Sequence, residues 1–82
     1  MTAHETRIAK RILNYLHELD GGQAHALTIH AEIGGLNVCT NSDFTDTLAE
    51  LDRRKHVIGV QTQFKGVLWS LSDDGESARK KM

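Results

Sequence analysis

The segment that most limits the fold of this chain is a helical pattern running directly into a hairpin pattern. Between residues 42 and 55, Phe44, Leu48 and Leu51, with Thr47 among them, recur at helical spacing. Residues 57–63 and 67–71 then alternate with a period of two about a turn at Lys65-Gly66. The 82 residues hold one small domain with a single core, spanning residues 1–82. A two-stranded hairpin is marginal in water by itself. One of its faces must therefore pack on helices, with Trp69 as the expected anchor.

Two helical patterns precede this unit. Thr2 and Glu5 have the spacing of a capping box, and Ile8, Ile12, Tyr15, Leu16 and Leu19 form an apolar stripe that Asp20-Gly21-Gly22 ends. Arg7, Lys10, Arg11 and Asn14 fall opposite the stripe and read as a solvated face. Thr28 is the expected cap of a short second helix in which Ile29, Ile33 and Leu36 share a face, with Gly34-Gly35 as its stop. Ala24-His25-Ala26-Leu27 suits a stub of strand beside the hairpin, and residues 37–41 suit a loop. Thr40 or Ser42 caps the third helix. There Asp43 and Asp46 favour the positive end, and Arg53, Arg54 and Lys55 the negative one. Ser72 or Asp73 opens a last short helix that finishes in Arg79-Lys80-Lys81.

Composition excludes several classes. Charged residues at 26% and hydrophobic ones at 39% suit a soluble globular chain, and no apolar run approaches a membrane span. Met1-Thr2-Ala3-His4-Glu5 lacks the layout of a signal peptide, and the single cysteine forbids an internal disulfide, so a cytoplasmic location is expected. The net charge of −1 provides no overall pull towards nucleic acid.

No constellation for catalysis stands out. The five histidines read as scattered surface imidazoles, because His25 and His30 have neither helix-face nor zinc-finger spacing. Cys39 reads as a buried structural thiol. Both Gly-Gly pairs are helix stops rather than phosphate loops, and no cofactor, metal or enzyme activity is expected.

The order helix, short helix, helix, hairpin, with Leu48–Val57 and Val67–Gly75, resembles winged helix-turn-helix proteins. Trp69-Ser70-Leu71-Ser72-Asp73-Asp74-Gly75 matches the aromatic-x-Leu-Ser/Thr-x-x-Gly return of their hairpin. Residues 11–19 further resemble the first helix of the Z-form nucleic-acid-binding winged helices of RNA-editing adenosine deaminases, and Trp69 falls where that family keeps a wing tryptophan. The binding residues differ. Thr45 and Ala49 stand where the family has its recognition asparagine and tyrosine, Asn41 and Ser42 where it has lysines, and its wing prolines have no counterpart.

The resemblance implies an α+β winged helix: three helices, a C-terminal β-hairpin wing and a short C-terminal helix. It implies a DNA-binding module of the transcription-regulator type, with double-stranded DNA as partner and a homodimer as the arrangement that enlarges a small footprint. The DNA-facing residues would be Asn41, Ser42, Thr45, Ala49, Arg53 and Arg54 from the third helix and Gln61, Gln63 and Lys65 from the wing. The alternative is a winged helix that docks a protein through Asp43, Asp46 and Glu50, carboxylates that would repel phosphates.

Overall fold

A computed structural model describes residues 2–19, 22–64 and 66–81. In chain order these form α1 (Ala3–Glu18), α2 (Ala26–Glu32), a 3-10 turn (Gly35–Asn37), α3 (Asn41–Arg53), β1 (Val57–Thr62), β2 (Gly66–Leu71) and α4 (Asp73–Lys81). The architecture is α+β, helices on one side of an antiparallel hairpin.

The start of α1 is set by Thr2, whose hydroxyl accepts the Glu5 N–H at 3.1 Å while the Glu5 carboxylate reaches back to Thr2. Its stripe of Ile8, Ile12, Leu13 and Leu16 is fully buried against Ile29, Phe44, Leu48 and Leu51. Asp20 and Gly21, part of the expected stop, lie outside the described residues; the observed C-cap is Leu19.

α2 begins earlier than expected, at Ala26 with His25 as N-cap, rather than after Thr28. The expected strand stub shrinks accordingly. Among the described residues of this segment Ala24 alone pairs with the hairpin, exchanging two backbone hydrogen bonds with Trp69 at 2.8 and 3.0 Å, and the chain turns helical two residues later. Leu36 does not join Ile29 and Ile33 in the core and is 76% exposed. Gly34, at φ 126°, breaks the helical register and carries Leu36 outwards.

His30 corrects the expectation of scattered surface imidazoles. It is buried, its Nε2 lies 3.0 Å from the Cys39 carbonyl oxygen, and its ring stacks on Phe44 with centroids 4.6 Å apart. Cys39 is buried beside it, with Sγ 3.6 Å from the same nitrogen. Burial, helped by the Asp43 charge, raises the thiol above its ordinary range and so keeps it protonated and unreactive.

In the hairpin Gly59 faces Trp69. A methyl group on Gly59 would sit 2.8 Å from the indole, so the ring occupies the space a side chain would fill. Val57, Leu71 and Trp69 turn towards the helices, while Ile58 and Val60 project from the opposite face. Ser72 then joins three elements. Its N–H donates to the His56 carbonyl, its hydroxyl donates to the Lys55 carbonyl at 2.7 Å, and that hydroxyl accepts from Gly75 N at 2.9 Å to cap α4.

α4 returns along α1. His17 Nδ1 is 2.9 Å from Glu76 Oε2, and Arg79 Nη1 donates to Asn14 Oδ1 at 3.4 Å, so the two helices run antiparallel.

Candidate nucleic-acid interface

The helix that leads into the hairpin is defined at both ends by local chemistry. Thr40 is its N-cap, accepting the Asp43 N–H at 3.1 Å, which decides between Thr40 and Ser42. At the other end Lys55 N–H donates to the Asp52 carbonyl and His56 N–H to the Leu51 carbonyl, at 3.0 and 2.9 Å. This pair of bonds is a Schellman closure, in which a left-handed residue reverses the chain. The residue here is Lys55, at φ 62°, where glycine is usual. With one residue between the closure and β1, the wing follows α3 without slack.

Phe44, Thr47, Leu48 and Leu51 face the core. The opposite side presents Ser42, Thr45, Ala49 and Arg53, all exposed, along roughly 16 Å of helix. Asn41 lies exposed at its N-terminal end. The centre of this stripe is small and polar. Such a surface lets a helix backbone approach a groove closely, with a cation at one end.

Charge on α3 is less acidic in effect than its sequence implies. Glu50 accepts from Arg53 Nε at 2.9 Å, from Arg53 Nη2, and from Arg54 Nε at 2.8 Å. The Arg53 hydrogen bonds, then those of Arg54, hold the Glu50 carboxyl down at about 2. Asp43 sits 3.2 Å from His4 Nε2 on α1. Asp46 and Asp52 are exposed, and among the described residues neither is in an ion pair. Asp43, Asp46 and Glu50 thus do not form one free acidic surface. By the same contact, Arg53 and Arg54 are turned towards Glu50 instead of extending freely outwards.

On the wing, Gln61 and Gln63 are exposed, and the Gln61 amide donates to the Thr62 carbonyl at 3.3 Å. Lys65 lies outside the described residues. Next to it Phe64 is 89% exposed, a feature of the tip that alternation in the sequence does not single out. Arg7, Lys10 and Arg11 belong to the outer side of α1 and do not join Arg53 and Arg54 in a single patch. α1 and α3 pack on each other through their apolar faces, and their exposed stripes point away from one another.

No helix among the described residues is long and apolar enough to cross a membrane. No protein-family model and no curated protein sequence matches the chain. Solved structures do. The PcaV transcriptional regulator from Streptomyces coelicolor, in complex with its natural ligand, superposes with a TM-score of 0.70 over 98% of this chain at 21% identity. This chain spans 51% of that regulator's length. The Zalpha domain of Carassius auratus PKZ, in complex with Z-DNA, superposes with a TM-score of 0.62 over 83% of this chain and 97% of its own, at 29% identity. Element order, the α3–hairpin junction and these likenesses agree: the chain has a winged helix-turn-helix fold.

Proposed function

We propose that this protein is a DNA-binding module of the transcription-regulator type, which lays α3 in a groove and steadies itself with the wing. The observation that carries this reading is the exposed stripe Ser42, Thr45, Ala49 and Arg53, on the helix directly joined to the hairpin. Hydroxyl, amide and guanidinium groups are those that bond phosphates and base edges, and Asn41, Gln61, Gln63 and Lys65 extend the set. The likeness to a domain solved on Z-DNA adds support at the level of the whole fold. With Thr45 and Ala49 in place of the recognition asparagine and tyrosine of Z-form binders, the groove of an ordinary duplex is the expected target.

A protein-docking α3 is the competing reading. It is weakened by the pairing of Glu50 with two arginines and of Asp43 with His4, which leaves Asp46 as the one of the three without an ion pair among the described residues.

The test is an NMR titration of labelled protein with mixed-sequence duplex DNA at low and then physiological salt. Shifts centred on Asn41–Ala49, Arg53 and the residues around Phe64, fading as salt rises, are the expected result. A spectrum that stays still at low salt ends the DNA reading.

A further inference from the structure

The small net charge conceals a local cluster of cations. Six of the ten Lys and Arg residues, Arg7, Lys10, Arg11, Arg79, Lys80 and Lys81, belong to α1 or to the last turn of α4, while the acids of these helices, Glu5, Glu18, Asp73, Asp74 and Glu76, fall outside the Arg7–Asn14 stretch and that last turn.

The fold, rather than the sequence, gathers these cations. Three residues forward along α4, from Glu76 to Arg79, match three residues back along α1, from His17 to Asn14. Continuing that antiparallel register sets Lys80 and Lys81 level with Leu13 and Ile12, within one helical turn of Lys10 and Arg11. Arg7, Lys10, Arg11 and Asn14 line a depression of about 310 Å³ on this side. Arg7, Lys10, Arg11, Lys80 and Lys81 are exposed, and among the described residues none of the five is in an ion pair. Arg79 is held by Glu76. Glu18 and Glu32 mark the limit of the surface, across a neighbouring depression that Arg11 also lines.

We infer that this α1–α4 surface is a second nucleic-acid contact, so that one molecule joins two duplex segments. The inference rests on the DNA reading of α3. Phosphates are the complementary chemistry, because guanidinium and ammonium groups on adjacent helical turns bond phosphate oxygens without any base preference. α1 and α3 pack through their apolar faces, so their outward stripes face away from each other across a body measuring 35 × 27 × 22 Å. A duplex is stiff over about 150 base pairs, so a single short segment does not reach both sides. Two segments do.

A bead-capture assay tests this. One biotinylated 20-base-pair duplex is immobilised, protein is added, and retention of a second, fluorescent duplex is measured at low salt. Wild-type protein is expected to retain the second duplex. Lys10→Glu with Arg11→Glu should cut retention at least tenfold while single-duplex affinity, by anisotropy, falls no more than about threefold. Lys10→Arg with Arg11→Lys should retain capture. Sedimentation at assay concentration, unchanged between wild type and variant, assigns the loss to the surface and not to assembly. Capture that survives the double charge reversal overturns the inference. So does a wild type that binds one duplex and never a second, which leaves the α3 reading standing. A protein that binds no duplex at all removes both.

Discussion

His30 Nε2 donates a hydrogen bond to the carbonyl oxygen of Cys39, 3.0 Å away, and so ties α2 to the residue just before the cap of α3. A carbonyl can only accept, which places the imidazole proton on Nε2. His30→Phe keeps the stack on Phe44 and removes the donor. The buried carbonyl is then unsatisfied, and a loss of about 1–3 kcal/mol is expected in urea unfolding. A loss below about 0.5 kcal/mol would show that water replaces the imidazole at that carbonyl.

Lys55 is expected to yield stability when changed to glycine. A left-handed conformation costs a non-glycine residue roughly 1–2 kcal/mol, and part of that returns as the extra unfolded-state entropy of glycine. Lys55→Gly should therefore gain about 0.5–1 kcal/mol by thermal unfolding. A decrease would mean that the Lys55 side chain contributes more than its backbone strain removes.

Glu50→Ala releases Arg53 and Arg54 from the carboxylate that holds them. Affinity for duplex DNA at low salt should rise several-fold. The slope of log affinity against log salt should steepen by about one unit for each arginine that reaches a phosphate. Unchanged affinity and slope would place both arginines away from the DNA.

Acid should loosen α4 from α1. The Glu76 carboxyl is held at about 2, first by hydrogen bonds from Arg79 and then by His17. Its folded-state value lies below the ordinary 4.5, so the contribution is complete above that value and lost as pH falls through about 2. Amide exchange in α4, corrected for its intrinsic pH dependence, should lose protection between pH 4.5 and 2. Glu76→Gln should flatten that change. Protection that stays constant over the range would exclude the contact as a fastener of α4.

Gly75→Ala sets two effects of opposite sign against each other. Alanine improves helix propensity by about 1 kcal/mol. Its methyl group, however, would collide with the His56 carbonyl oxygen, a backbone atom that Ser72 N already holds. Overpacking of this kind costs about 1–3 kcal/mol, so net destabilisation is expected, with chemical shifts moving at His56 and Leu71.

The long helices were legible because each repeats an apolar residue over three or more turns and carries its own cap; Thr2–Glu5 and Thr40 behave as local rules require. α2 is less legible. Seven residues give too little periodicity, and its start depends on Ala24 being held by Trp69, a residue distant in sequence. The outward stripe of α3 followed from spacing alone. The engagement of Glu50 was within reach too, since arginines three and four residues later are the standard helical partners of a carboxylate. What spacing does not supply is the return of α4 along α1, without which Lys10 and Lys80 are merely two solvated lysines.

Trp69 is the sole tryptophan of the chain, and its indole lies over Gly59 while its backbone holds Ala24. The protein therefore contains its own optical gauge. Fluorescence from this one ring reports whether the hairpin is seated on the helices, without any label. A ligand that tilts the wing would change the emission, and one that leaves the wing in place would not.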